Sequence, residues 1–278
     1  MLKNTVKRGI VSVRASTSGL RLLPDFLIIG AQRSGTTSLY NYLTAHPSIG
    51  HSLWKEVHYF DVNFQKGLSW YKAHFPTKVW RWYRNKRGAN PYLVGESSPY
   101  YLFHPHAAKR AYALVPDARL IALLRDPVER AYSHYLYEVR KEREKRPFEQ
   151  AIRDEKEIVS DETNKILTDG NHISSIHQRF SYLSRGEYEG QLKRWNNFFP
   201  RDKILVLSSE DLFRDPRQAM ITVFRFLGLS PKMPLEFERF GSSKKLPMSD
   251  EARGFLREYF RSHNERLYNY LGRHLGWQ

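Results

Sequence analysis

The sequence predicts an α/β domain of three layers, in which a central parallel sheet is flanked by helices. Two observations predict this fold. Short continuous runs of Ile, Val and Leu, typical of parallel strands buried on both faces, recur along the chain. Between them lie segments whose apolar residues repeat with the 3.6-residue period of a helix. Alternation of the two kinds of segment over most of the chain favours a doubly wound arrangement.

The apolar runs locate four strands, and the helical periods locate several helices. We expect strands within residues 26–31, 92–97, 119–126 and 203–211. Helices are expected over residues 128–139, 192–199 and 256–271. Residues 140–165 carry many charges of both signs, which favours an exposed helix within an insertion.

Length and composition bound the domain organisation. With 278 residues, of which 41% are hydrophobic, the chain can bury one large core. We expect a basic N-terminal arm over residues 1–24 and a single domain over residues 25–278. The arm has no acidic residue, and we expect a solvated terminus, with an organelle transit peptide or a membrane-surface segment as alternatives. No run of about eighteen apolar residues occurs, so no membrane span is expected.

The charge balance and the lack of cysteine limit which ligands the chain attracts and which kinds of site it can form. A formal net charge of +16 creates a positive field that attracts phosphates, sulfates, acidic polymers and anionic membranes. A chain without cysteine has no disulfide, no thiolate zinc site and no cysteine nucleophile. These features are consistent with a reducing compartment. We expect a cytoplasmic protein, with peripheral contact between its basic N-terminus and an anionic membrane as a further expectation.

The stretch FLIIGAQRSGTTSLYNYL, residues 26–43, has the pattern of a strand, a tight turn and a helix, which makes the fold P-loop-like. It departs from the nucleotide-binding pattern Gly-x-x-x-x-Gly-Lys-[Ser/Thr], because Thr36 replaces the lysine and Arg33 lies three residues earlier. Gly30 and Gly35 permit a turn whose backbone amides face an anion. The missing lysine argues against ATP or GTP hydrolysis and favours a donor with one 5′-phosphate and a transferable group. A turn whose hydroxyls only cap the helix is the alternative.

A second candidate anion site lies in LLRDPVERAYSHY, residues 123–135, where another strand enters a helix. Arg125 at the strand end and Ser133 in the helix are placed to bind one phosphate, with the arginine supplying charge-assisted hydrogen bonds. A pair of Arg125 and Asp126 that caps the helix is the alternative. Two phosphate sites at the carboxyl ends of one sheet suit a bisphosphorylated nucleotide.

Five motifs in order resemble one family, the sulfotransferases that use 3′-phosphoadenosine 5′-phosphosulfate (PAPS). GAQRSGTTSL resembles their 5′-phosphosulfate loop, and LLRDPVERAYSHY resembles their 3′-phosphate motif. The other matches are KEVHYFD at 55–61 with KGLSWYKAHFP, RGEYEGQLKRWNNFFPRDKILVLSSEDLFRDP at 185–216, and YFRSHNERLYNYLGRHLGW. Their order is most similar to the heparan-sulfate and carbohydrate sulfotransferase branch and covers nearly all of residues 26–277.

The resemblance implies that PAPS is the donor, that 3′-phosphoadenosine 5′-phosphate is the product, and that no metal is needed. It explains the missing lysine, because PAPS has no γ-phosphate. It assigns the 5′-phosphosulfate to backbone amides and to Arg33, Ser34, Gly35, Thr36, Thr37 and Ser38. It assigns the 3′-phosphate to Arg125 and Ser133. The SSKKLP loop nominates Lys244 and Lys245 to close over the nucleotide, with a solvated lysine pair as the alternative.

The resemblance also implies catalytic roles. Glu56 matches the general base of the glycan branch, and Arg33 occupies the position of a lysine that stabilises the leaving phosphate. His58 is the alternative base, since its ordinary pKa suits proton transfer. Two departures stand out: Ser97 replaces a lysine of the closest glycan enzymes, and their paired cysteines are absent. The first puts heparan sulfate in doubt as acceptor, and the second argues against a secretory-pathway enzyme.

The acceptor is expected to be a hydroxyl or amine of a carbohydrate or glycolipid. The segment KVWRWYRNKRG, residues 78–88, interleaves aromatic and basic residues, which suits an acidic sugar chain, a lipid surface or a nucleic acid. A helix with its aromatics inward is the plainer interpretation. Two other functions stay open, a P-loop phosphotransferase or kinase and a non-catalytic module that binds polyanions; nucleic acid is not the expected partner.

Overall fold

The computed structural model describes residues 2–232, 236–240 and 246–277. Within them, five parallel strands form one sheet in the order β2-β3-β1-β4-β5. The strands are β1 (Phe26–Gly30), β2 (Ile49–His51), β3 (Leu93–Ser97), β4 (Arg119–Leu124) and β5 (Ile204–Ser208). The expected parallel sheet is therefore confirmed. Strands β2 and β3 lie on one side of the central strand β1, and β4 and β5 lie on the other side.

Helices connect and cover the strands. The first six are α1 (Leu2–Ala15), α2 (Thr36–Thr44), α3 (Gly67–Lys72), α4 (Lys78–Arg87), α5 (Ala107–Leu114) and α6 (Pro127–Arg140). The others are α7 (Phe148–Thr168), α8 (Ser175–Arg179), α9 (Tyr188–Asn196), α10 (Ser209–Arg214), α11 (Pro216–Leu227) and α12 (Asp250–Leu271).

The two faces of the sheet pack into separate cores, which explains the continuous apolar runs. In β1, Leu27 and Ile29 face one core, where α3, α5 and α9 pack. The alternate residues Phe26 and Ile28 face the other core, which α2, α10 and α11 fill. Because successive strand residues point to opposite faces, a strand covered on both sides has no exposed position.

Two sequence expectations were incomplete. Strand β2 was missed because its three residues are too short to show a pattern. The charged region at residues 140–165 was expected to be an exposed insertion, but α7 buries one side of its surface. Its inward residues recur every three or four positions between the charges; they are Phe148, Ala151, Ile152, Glu155, Val159 and Ile166.

The N-terminal segment differs from the expected solvated terminus. Residues 2–15 form α1, and Val11 is buried with 3% of its surface exposed. At the end of this helix, the guanidinium of Arg14 donates a hydrogen bond to the carbonyl of Phe75 at 2.6 Å. The last turns of α1 therefore pack on the domain beside α3. Within the described residues, no helix is both long and apolar enough to cross a membrane.

Candidate active site at the carboxyl ends of the strands

A cavity of about 990 Å³ opens at the carboxyl ends of the strands. Nine of the predicted site residues line it: Arg33, Ser34, Gly35, Thr36, Thr37, Glu56, His58, Arg125 and Ser133. Ser38 does not line it, and Lys244 and Lys245 lie outside the described residues. The fold thus brings residues from three separate parts of the chain to one edge of the sheet.

The loop between β1 and α2 has the geometry of an anion site. Gly35 precedes α2 with a φ of 96°, a left-handed conformation that glycine adopts without strain. A Cβ at this position would lie 2.7 Å from the ring of Phe213. The N-terminus of α2 has no side-chain cap, and the buried hydroxyl of Ser34 has no hydrogen-bond partner among the described residues. Uncapped amides and an unpartnered hydroxyl fit a bound phosphate or sulfate group.

Ser38 supports the cavity wall from behind. Its buried hydroxyl accepts a hydrogen bond from the backbone amide of Phe240 at 3.0 Å. Near it, the hydroxyl of Tyr42 donates to the carbonyl of Glu238 at 2.6 Å. Phe240 itself lines the cavity. Ser38 therefore fixes residues 236–240 against α2.

The two predicted anion sites are joined by arginine contacts. Nε of Arg33 donates to the hydroxyl of Ser133 at 3.1 Å, and its guanidinium lies 5.1 Å from the ring centre of Tyr137. Arg125 donates to the backbone carbonyl of Arg33 at 3.1 Å. Burial lowers the pKa of Arg33, and the nearby Arg140 and Arg125 lower it further. Arg33 thus lies on the Ser133 side of the cavity.

The start of α6 resolves the alternative for Arg125. The carboxylate of Asp126 caps α6 by accepting from the amide of Val128 at 2.8 Å. Arg125 instead lies 3.5 Å from the carboxylate of Glu129, which also pairs with Arg253 at 2.9 Å. The helix cap and the arginine are therefore separate features, and Arg125 lines the cavity.

The segment at residues 55–61 carries a chain of alternating charges. Nζ of Lys55 lies 2.7 Å from Glu56 and donates to the hydroxyl of Thr37 at 2.8 Å. Nε2 of His58 lies 3.3 Å from the other oxygen of Glu56, and its Nδ1 lies 2.7 Å from Asp61. Among the described residues, no group of three or more His, Asp or Glu side chains is placed to hold a metal ion.

These contacts set the charge states of Glu56 and His58. Burial opposes the charge on His58, but Asp61 and Glu56 together raise its pKa to about 10. Burial also opposes the charge on Glu56, and the hydrogen bond from His58 and the charge of Lys55 outweigh it and lower its pKa to about 2. At neutral pH, Glu56 is therefore an anion and His58 a cation.

A buried carboxylate holds this segment in place. Glu96, at the end of β3, accepts hydrogen bonds from the hydroxyls of Tyr71 at 2.6 Å, Ser98 at 2.7 Å and Tyr101 at 3.0 Å. It also accepts from the amide of Val57 at 3.3 Å. The hydroxyl of Ser98 in turn accepts from the amide of His58 at 3.0 Å. The backbone between Glu56 and Asp61 is thus fixed to the end of β3.

Ser97, which the family resemblance matches to a lysine, is fully buried. Its amide donates to the carbonyl of Lys55 at 3.1 Å, and its hydroxyl has no partner in the described part of the chain. Position 97 therefore contributes backbone support and no cation.

Sequence reasoning missed several cations of the cavity wall, namely Arg143, Arg179, Arg185, Arg239 and Arg253. Arg185 is buried against the ring of Tyr100, with 4.6 Å between its guanidinium and the ring centre, and it donates to Gln32. Its position at the start of the RGEYEGQL motif was the signal that could have identified it. Lys55, which pairs with the predicted base Glu56 at 2.7 Å, was also missed, because a lysine beside a glutamate is ordinarily half of a surface ion pair.

Comparisons with known proteins identify the family of this chain. The sulfotransferase domain family matches residues 23–265. The membrane-associated sulfotransferase kil1 of Dictyostelium discoideum is 29% identical over 93% of this chain and 67% of its own length. The bifunctional heparan sulfate N-deacetylase/N-sulfotransferase 4 of Mus musculus is 31% identical over 90% of this chain, which spans 30% of that protein.

A solved structure supports the fold. The crystal structure of a sulfotransferase from Alicyclobacillus acidocaldarius has a TM-score of 0.69 and 30% identity, covering 91% of this chain and 98% of that one. The family match extends over most of the chain and includes both the loop after β1 and the segment at residues 55–61. The chain therefore belongs to the sulfotransferase domain family and is a PAPS-dependent sulfotransferase.

Proposed function

We propose that this enzyme transfers the sulfuryl group to a hydroxyl or amine of a carbohydrate or glycolipid, with Glu56 as the general base. One observation carries the proposal. Lys55 contacts both Thr37 of the anion loop and the carboxylate of Glu56, so the donor loop and the base meet in one cavity. In-line transfer requires this juxtaposition of an activated acceptor and a held donor.

The donor is assigned to the loop and to the start of α6. Ser34, Gly35, Thr36 and Thr37 offer hydroxyls and amides to the 5′-phosphosulfate, while Arg125 and Ser133 take the 3′-phosphate. PAPS, when bound, supplies the activated sulfuryl group. Ser38 has a supporting role through Phe240, and binding by Lys244 and Lys245 remains a prediction.

The catalytic roles follow from the charge states. Glu56 is ionised and accepts the acceptor's proton, whereas His58, with a pKa of about 10, already carries a proton and is not the base. We assign His58 to orienting Glu56, because it lies between Glu56 and Asp61. Lys55, which contacts Thr37 of the anion loop, neutralises the negative charge that develops on the leaving phosphate. The same role for Arg33 stays a prediction, since its side chain bonds Ser133 in this structure.

The low pKa of Glu56, about 2, makes it a weak base in the free enzyme. Lys55 is one cause of that low value and also contacts Thr37. Negative charge bound beside Thr37 attracts Lys55 and weakens its pairing with Glu56. We therefore propose that donor binding raises the basicity of Glu56 at the moment when a base is needed.

The acceptor class is inferred from the relatives and the cavity. One relative named above acts on heparan sulfate, and Arg143, Arg179 and Arg185 give this cavity a basic wall. Because residue 97 lacks the lysine of the closest glycan enzymes, heparan sulfate itself is not our proposed acceptor. A cytoplasmic location and contact with an anionic membrane through the basic N-terminus also remain predictions, in keeping with the relative that is named membrane-associated.

The decisive experiment is an acceptor screen with sulfur-labelled PAPS on the purified full chain. We expect labelled product from carbohydrate or glycolipid acceptors and undiminished transfer in the presence of a metal chelator. Transfer of phosphate from γ-labelled ATP, with no transfer of sulfate, would overturn the proposal.

A further inference from the structure

The apolar and tryptophan residues at the start of α4 are exposed, contrary to the expectation of a helix with its aromatics inward. No residue of α4 is buried, and Val79, Trp80 and Trp82 are 67%, 44% and 58% exposed. Val79, Trp82 and Lys86 lie on one side of the helix, with Nζ of Lys86 4.2 Å from the ring centre of Trp82. Core packing therefore does not account for these aromatic residues.

A second group of exposed apolar residues lies beside the start of α4. Ile10 and Val13 of α1 and the following Leu20 are 39%, 74% and 60% exposed. The chain segments that carry the two groups are joined, because Arg14 and Arg21 both donate to the carbonyl of Phe75, and a backbone bridge links residues 21 and 77. We call the six residues the docking surface: Ile10, Val13, Leu20, Val79, Trp80 and Trp82.

Positive charge surrounds the docking surface. Five of the ten residues of α4 are Lys or Arg and none is acidic. Two of them, Lys78 and Arg81, also line a cleft of about 600 Å³ at the amino ends of the strands. The other charged residues of the cleft are Arg21, Lys72, Arg119 and Lys203, with Asp25 and Asp117. Asp25 is paired with Arg81 at 2.5 Å, so the cleft has excess positive charge.

We propose that the docking surface binds the interface of a bilayer that contains anionic phospholipids. Tryptophan and aliphatic side chains enter the headgroup region, while neighbouring lysines and arginines contact lipid phosphates. Exposed Ile, Val and Leu distinguish this partner from a sugar chain, which stacks on aromatic rings but gains little from aliphatic ones. The inference locates the membrane contact on α4 and the end of α1, not on a solvated N-terminal arm.

The position of the surface leaves catalysis unobstructed. The cleft beside α4 lies at the amino ends of the strands, whereas the catalytic cavity opens at their carboxyl ends. A docked enzyme can therefore still receive a soluble acceptor. The docking proposal does not depend on the role assigned to Glu56, and of the two proposed acceptor classes it favours a soluble carbohydrate over a glycolipid of the same bilayer.

The test is cosedimentation of the full chain with phosphatidylcholine vesicles, with and without phosphatidylserine. We expect binding only when phosphatidylserine is present, a loss of about tenfold in Trp80→Ser/Trp82→Ser, and a similar loss in Lys86→Glu/Arg87→Glu. Matched controls on other helices are Phe255→Ser, which is 45% exposed on α12, and Arg217→Glu/Arg225→Glu on α11. Vesicles of brominated lipid should quench tryptophan fluorescence in the native chain and much less in the double tryptophan variant.

Affinity for 3′-phosphoadenosine 5′-phosphate, measured in every variant, confirms an intact fold without requiring an acceptor. Equal vesicle binding by the α4 variants and the controls would overturn the proposal. So would tryptophan-dependent binding to heparin with no binding to vesicles, which would identify a sugar chain. A dimer that dissociates in the double tryptophan variant, with no vesicle binding, would identify a second copy of the chain and equally overturn it.

Discussion

The donor loop after β1 and the base segment at residues 55–61 line the same cavity but differ in how their polar groups are satisfied. The loop leaves the hydroxyl of Ser34 without a partner within the described chain, and α2 has no side-chain cap. The base segment instead alternates cation and anion from Lys55 to Asp61. The loop therefore suits an anion, whereas Glu56, the proposed base, has a pKa that its neighbours lower to about 2.

The base segment provides the largest expected effect. Glu56→Gln keeps the shape of the side chain but removes its ability to accept a proton, so we expect kcat to fall by about 10²–10⁴-fold. Affinity for 3′-phosphoadenosine 5′-phosphate should not fall, and the proposed coupling through Lys55 predicts a gain, because a neutral side chain at position 56 leaves Lys55 to the bound phosphate. Labelled-PAPS kinetics and calorimetry measure the two quantities. A large loss of nucleotide affinity would contradict the separation of loop and base.

Glu96 tests what holds the base segment in place. Glu96→Ala leaves three hydroxyl donors and one amide without their buried acceptor, which should lower the free energy of unfolding by about 3 kcal/mol. Urea denaturation measures this change, with Glu157→Ala on the exposed side of α7 as the control. A loss below about 1 kcal/mol would show that the segment is fixed by other contacts.

The two regions were predicted from the sequence in different ways, the loop from a local pattern and the segment at residues 55–61 from the family resemblance alone. The strand, turn and helix around Gly35 are set by neighbouring residues, so the loop could be predicted directly. Glu56 was selected only through the family resemblance, because a glutamate beside a lysine is ordinarily a surface pair. Its chain of contacts through His58 and Asp61 depends on side-chain packing that a sequence does not specify.

The cavity wall and the surface of α4 were harder to predict. Arg143, Arg179 and Arg185 come together from the loop after α6, from α8 and from the turn before α9, and only the tertiary fold makes them neighbours. In α4, a helical period was visible, but periodicity does not tell whether an apolar face meets a core. The exposure of Trp80 and Trp82 emerged only from the packing of α1 and α3 around the residues before α4.

The 3′-phosphate site should show a smaller effect than the base. Arg125→Ala removes a charge-assisted donor, so we expect affinity for 3′-phosphoadenosine 5′-phosphate to fall by about 10–100-fold. Affinity for adenosine 5′-phosphate, which lacks the 3′-phosphate, should change far less. Calorimetry with both nucleotides tests this, with Arg225→Ala as a surface control. Equal losses for the two nucleotides would indicate that Arg125 supports the loop through the carbonyl of Arg33.

The ion pairs of His58 predict a pH dependence of stability. Its pKa rises on folding from 6.5 to about 10, so its contribution is complete below pH 6.5 and is lost as the pH rises through about 10. We expect a decrease of about 1–2 kcal/mol over this range, reduced by solvent screening. His58→Asn should remove the decrease, and asparagine tolerates the positive φ of 55° at this position. If the native protein and the His58→Asn variant lost stability equally as the pH rises, His58 would not be the cause of the decrease.

The smallest expected effects come from two serines, one in the loop and one that supports the segment at residues 55–61. Ser34→Ala removes a buried hydroxyl that has no partner within the described residues, so the unfolding free energy should change by less than about 0.5 kcal/mol. Affinity for 3′-phosphoadenosine 5′-phosphate should fall by a few-fold, because that hydroxyl is assigned to the donor. Ser98→Ala should do the reverse, since its hydroxyl bonds Glu96 and the amide of His58. We expect it to lower stability by about 1 kcal/mol and to leave nucleotide affinity unchanged. If both variants altered stability and affinity together, the loop and the base segment would form one coupled unit, and the contrast between them would not hold.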